Sequence, residues 1–168
     1  MQHPGQTLRV LVTGTVLAAG VLVACDMATH IPPGGQRVHV VGTDSEVRLD
    51  PPSVRAGDVY LVMDGSALFV QHGAAVQGEQ SGPMSEDDLA RLAQNGDLFH
   101  TNSEELYPGY AGNVYKFTLA AGKYAFLPVA SEEHPDSELM ARADLCYRDP
   151  QACAALPRLS MAVLEVLP

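Results

Sequence analysis

From residue 37 onward the chain alternates apolar and polar positions over short stretches, with turn residues between them. Arg37–Val41, Glu46–Leu49 and Asp58–Met63 are rich in Val, Leu and Tyr, with polar interruptions. That is the pattern of half-buried strands. Asp50-Pro51-Pro52 separates the second run from the third, and Ala56-Gly57-Asp58 is a turn that launches the third. Asp64-Gly65-Ser66 turns the chain again before Leu68–Gln71. Val114–Leu119 alternates as well, and Ala121-Gly122 turns it into Lys123–Val129, which predicts a hairpin. Leu159–Leu167 (LSMAVLEVL) reads as a final strand that includes Met161.

One segment changes period. Ser85 is a good N-cap, with Asp88 three positions on and Glu86 and Asp87 between them, so a capping box opens a helix there. Leu89, Leu92 and Ala93 form its apolar stripe, and Gly96 ends it. Gly73–Pro83 is a Gly/Gln-rich loop, and 97–113 is loop-like. Residues 131–158 are irregular and acidic, with one helical turn near Glu138–Leu145. Seven or eight strands with one inserted short helix make an all-β chain, a β-sandwich or small barrel.

The N-terminal stretch has another texture. Arg9 is the sole charged residue of the first 24, and Val10–Ala24 is an apolar run of 15 residues. A membrane span needs about 20. A basic start, an apolar middle and small residues at the end have the layout of a secretory signal. The run closes on Leu22-Val23-Ala24-Cys25, which resembles a bacterial lipobox. The resemblance implies cleavage before Cys25 and acylation of its thiol, with an ordinary signal peptide or an uncleaved anchor as the alternatives. Asp26 after that Cys resembles an inner-membrane retention signal. The expected organisation is signal peptide 1–24, lipidated tether 25–36 with Pro32-Pro33-Gly34-Gly35, and one domain over 37–168. The expected location is the extracytoplasmic side of the cell membrane.

Charge and cysteine usage agree with export. The full chain has 10 Lys+Arg and 20 Asp+Glu, and removing Arg9 leaves 9 against 20. A body this acidic is repelled by nucleic acid and anionic lipid, so membrane attachment must come from the lipid itself. Cys146 and Cys153 remain, around an Asp149-Pro150 turn signal. In an exported chain the pair is most simply a disulfide, with free thiols or a metal or redox role as alternatives.

Two segments carry a second resemblance. Val47–Val62 (VRLDPPSVRAGDVYLV) and Phe117–Phe126 (FTLAAGKYAF) are similar to cupredoxin-like domains, and Met161–Val166 stands where that family's closing strand would. The resemblance implies a Greek-key β-sandwich over roughly 37–168. It does not carry the blue-copper ligands across. His72 matches the early histidine, but no His follows Cys146 or Cys153, and the last histidine is His134. The expectation is a cupredoxin-like sandwich without type 1 copper and without a resident cofactor.

Other chemistry is sparse. His72, His134 and Met140 would suit a non-standard copper site, against the reading of surface histidines and a packing Met. His39, His100 and His30 read as structural or solvent-facing. Glu86-Asp87-Asp88 reads as helix-end charge more than as a cation site. Glu132-Glu133-His134-Pro135-Asp136 is either a functional loop or a solvated one. Tyr107, Tyr110, Tyr115 and Tyr124 are sheet and core residues or a partner-binding face. No G-x-S-x-G, H-E-x-x-H or phosphate loop is present. The sequence thus points to a non-enzymatic binding module whose working surface is the loop end of 72–113 and 130–158. Copper handling or electron transfer is the alternative. An unknown protein partner is expected, and no nucleic acid.

Overall fold

A computed structural model describes residues 31–43, 45–73, 81–96, 101–108, 113–129 and 138–168, with backbone only at 138, 140 and 143. The Cys25 lipobox, the first half of the tether, His134 and the 132–136 loop lie outside the described residues.

The chain forms a β-sandwich of two mixed sheets. β1 (Gln36–Gly42), β2 (Val47–Asp50), β4 (Gly57–Asp64) and β7 (Val114–Leu119) make a four-stranded sheet in the order β2-β1-β4-β7. β3 (Ser53–Arg55), β5 (Ala67–His72), β6 (Thr101–Leu106), β8 (Gly122–Pro128) and β9 (Ala162–Leu167) make a five-stranded sheet in the order β3-β9-β8-β5-β6. β1 pairs with β4, and β3 with β9, in parallel; the other pairings are antiparallel. The core between the sheets follows the alternation: Val38, Val40, Val59, Leu61 and Met63 from one sheet meet Phe69, Tyr124, Phe126, Leu164 and Val166 from the other. Phe69 is central, its ring 4.8 Å from Phe117 and 5.0 Å from Phe126.

The expected hairpin of Val114–Leu119 with Lys123–Val129 is not formed. β7 pairs with β4 in one sheet, whereas β8 pairs with β5 and β9 in the other. The turn at Ala121-Gly122 therefore carries the chain across the sandwich, and the apolar faces of the two strands look at each other through the core. Tyr124 locks this corner. Its hydroxyl donates to Ala120 O and accepts from Ala120 N, both at 3.1 Å, an arrangement typical of β-sandwich corners.

A second apolar cluster lies on the outer side of the five-stranded sheet. Val70, Ala125 and Leu127 point away from the sandwich core and are covered by Met84 and by Leu89 and Leu92 of α1 (Glu86–Asn95). Leu139 of α2 (Glu138–Arg148) joins the same cover. With α3 (Pro150–Ala154), the described residues hold three helices where one was expected. Residues 138–154, expected to be largely irregular, are mostly helical. Asp149-Pro150 is a helix start instead of a turn: Asp149 Oδ1 accepts from Gln151 N and Ala152 N, and Pro150 occupies the first turn, where its missing N–H costs nothing. The Cys146–Cys153 disulfide joins α2 to α3, with a Cα–Cα separation of 4.6 Å.

Two further elements differ from expectation. Thr101–Leu106 (TNSEEL) lies in the stretch expected to be loop and is the edge strand β6. It lacks a continuous apolar alternation because it has one neighbouring strand and only Thr101 and Leu106, at its two ends, are buried; charged edge strands also resist sheet-to-sheet aggregation. Met161 precedes β9 and packs into the outer cluster under the helices instead of lying in the strand.

Candidate functional site

The densest polar constellation among the described residues gathers at the start of α1. It begins with the capping box. Ser85 is extended (φ −74°, ψ 162°), and its Oγ accepts from Asp88 N at 3.1 Å. The same hydroxyl donates to Asp88 Oδ2 at 2.6 Å. Arg91, one turn on, donates to Asp88 Oδ1 at 2.5 Å.

The strand brings the fourth member. Backbone pairing of His72 with Gly82 extends the end of β5 into the segment before the helix, and Met84 bridges to Lys123 of β8. These two anchors set the first turn of α1 beneath the end of β5. His72 Nδ1 then lies 2.9 Å from Asp88 Oδ2. Gly122 permits the approach: a Cβ there would stand 2.2 Å from Pro83 Cβ.

Asp88 is buried, 7 % exposed, yet it meets Ser85, Arg91 and His72. The Ser85 hydrogen bond, assisted by Arg91 and by the charge of His72, overcomes desolvation and lowers its carboxyl from 3.8 to about 2. The carboxylate is therefore ionised at neutral pH and orients the His72 ring. With Nδ1 turned to Asp88, Nε2 is the ring nitrogen left for another partner, on a side chain that is 55 % exposed. A carboxylate-oriented imidazole of this kind can hold a proton or a metal.

The expected ligand set is placed only in part. His72 belongs to the cluster, His134 lies outside the described residues, and Met140 is described by its backbone. Leu139, next to Met140, packs against Gly96 at the far end of α1. That end is roughly 12 Å along the helix from Asp88. Among the described residues no group of three His, Cys, Asp or Glu side chains could hold a metal ion. Two members of the acidic cluster have partners: Glu86 meets Lys123 at 2.5 Å, and Asp88 has the three named. Cys146 and Cys153 are paired as expected.

Sequence reasoning placed Asp88 in the capping box but not with His72. The two are far apart in the chain, and the link is the His72–Gly82 bridge, which no local pattern announces. The tyrosines are clamps. Tyr115 OH donates to Tyr107 O at 2.7 Å and accepts from Tyr107 N at 3.2 Å, and Tyr124 closes the corner described above. Tyr107 is exposed, and Tyr110 lies outside the described residues.

Arg142 holds the helical cover together. It is buried, 6 % exposed, and donates to Gln94 O at 3.1 Å and to Pro157 O. A cation near the C-terminal end of α1 also meets the negative end of that helix.

No helix of the described residues is long and apolar enough to cross a membrane. Comparison of the chain with protein-family models, curated proteins and solved structures finds no match.

Proposed function

We propose that the chain is a lipoprotein anchored through Cys25 on the extracytoplasmic side of the cell membrane. Its β-sandwich, cupredoxin-like and without type 1 copper, acts as a non-enzymatic binding module. The observation that carries the anchoring is Leu22-Val23-Ala24-Cys25 at the end of the apolar run. The Cys146–Cys153 bridge supports export, because such bridges persist in oxidising compartments. The binding surface is the end and flank built by residues 72–113 and 130–158, which include α1, α2 and α3.

Membrane fractionation of the native chain and a Cys25→Ser variant tests the anchor. The native chain is expected in the membrane fraction as a cleaved, lipid-labelled form, and the variant as an uncut or released one. Equal retention and processing of both would sink the reading.

A second reading is favoured by the Asp88–His72 pair: a non-standard copper site that uses His72, through its Nε2, with His134 and Met140 as the other ligands. Metal analysis of the full chain at neutral pH decides it. Stoichiometric copper lost in His72→Ala, and bound roughly 10–100-fold more weakly in Asp88→Asn, would establish that reading. Copper binding unchanged by either variant would end it.

A further inference from the structure

The sandwich has a second polar feature, where β1 meets β3. Gln36 of β1 reaches across to β3 of the other sheet. Its Oε1 accepts from Arg55 N at 2.6 Å, and its Nε2 donates to Arg55 O at 2.9 Å. One side chain thereby replaces a rung of β-ladder and pins the two sheets together at this edge. A depression of about 370 Å³ opens beside it, lined by Gln36, Arg37, Pro51, Ser53, Arg55 and Leu167, with the buried Val54 at its base. The volume is at the small end of the range for sites that hold one small molecule.

Arg48, Arg91, Lys116, Lys123 and Arg148 each have a carboxylate within 3.0 Å. Arg37 and Arg55 have none among the described residues, although the chain carries 20 acidic side chains. Asp58, near the same edge, is held by Lys116 at 2.6 Å and Thr118 at 2.7 Å. Asp50 and Glu165 flank the depression and pair with neither arginine. Arg37, Ser53 and Arg55 thus line one recess together with the apolar Pro51, Val54 and Leu167.

We propose that this recess binds a small organic anion, a carboxylate or phosphate group joined to an apolar body. The guanidinium forks take the anionic group through charge-assisted hydrogen bonds, and Pro51 and Leu167 receive the apolar part. The overall negative charge does not forbid this. At physiological salt the screening length is about 8 Å, so distant carboxylates are muted while the two arginines act at contact. The site is independent of Cys25 and of His72.

The test is titration of the full chain at low salt with benzoate and with phenyl phosphate, benzyl alcohol serving as the uncharged control. The native chain is expected to bind at least one of the two anions and not the alcohol; which anion binds identifies the headgroup. Arg37→Gln and Arg55→Gln are each expected to weaken binding about tenfold, and the double variant to abolish it. Because both arginines are exposed and unpaired, the single variants should keep the native unfolding midpoint, which separates lost binding from lost fold. Binding of neither anion in the millimolar range, equal binding of benzyl alcohol, or affinity unchanged in the double variant would overturn the proposal.

Discussion

The two sheets of this sandwich write themselves into the sequence differently. The four-stranded sheet has one side in the core and one in water, and β1 shows it: Val38 and Val40 are buried while Arg37, His39 and Val41 are exposed. The five-stranded sheet is covered on both sides. Tyr124, Ala125, Phe126 and Leu127 of β8 are all buried, alternately by the opposite sheet and by the helices. Alternation therefore reports what lies on the second face of a strand, and a continuous apolar run reports a cover that comes from elsewhere in the chain.

Truncation at the shared centre should cost most. Phe69→Ala removes a ring that contacts Phe117, Tyr124 and Phe126, and a loss of about 3–5 kcal/mol in denaturant unfolding is expected. A loss below about 1 kcal/mol would mean that the two sheets are not bound through this residue. Leu92→Ala, on the covered side only, is expected to cost about 2–4 kcal/mol. Hydrogen exchange should separate the faces: α1 and β8 lose protection first, and β1 and β4 keep theirs. Uniform loss in both sheets would make the helical cover part of one cooperative unit with the whole sandwich.

Asp88→Asn is expected to cost about 1–2 kcal/mol at neutral pH. The sign follows from the lowered carboxyl. Its contribution is fully present above the unfolded value of 3.8 and is lost as pH falls through about 2. The native chain and the variant should therefore converge in stability near pH 2, and a gap that persists there would show that the ionised carboxylate is not the cause. The smallest effect belongs to the solvent side of the other sheet. Val62→Thr, on a half-buried outer position of β4, should stay within about 0.5 kcal/mol, and a larger change would show that this face is covered too.

The same contrast sets what could be read in advance. The seven patterned strands, the α1 capping box and the Cys146–Cys153 pair were legible because each is stated locally, by alternation, by Ser85 with Asp88, or by cysteine count. β6 was not, since an edge strand needs little apolar surface and TNSEEL offers almost none. The partnership of β7 with β8 was misjudged because a two-residue Ala-Gly turn is compatible with a hairpin and with a crossing; Tyr124 and its bond to Ala120 decide between them. α2 and α3 lack a clean stripe because they lie against each other and against α1, and Arg142 spends a buried position on backbone carbonyls. Of the site, His72 was singled out from its position after a strand. Its partner Asp88 was hidden by a pairing, His72 with Gly82, that only the folded chain makes.

The placement of β9 has a consequence for how such a chain reaches its native state. β9 is the last element in chain order, yet it is an interior strand, flanked by β3 on one side and β8 on the other. Until residues 162–167 are in place, β3 has no partner and β8 presents an open hydrogen-bonding edge between two apolar faces. The contacts that complete the sheet join residues 53–55 to 165–167, among the widest sequence separations in the molecule. Closure is thus a late, long-range event, and a chain released before it would expose a sticky seam. The arrival of residues 162–167, not the appearance of the first strands, is what makes this fold available.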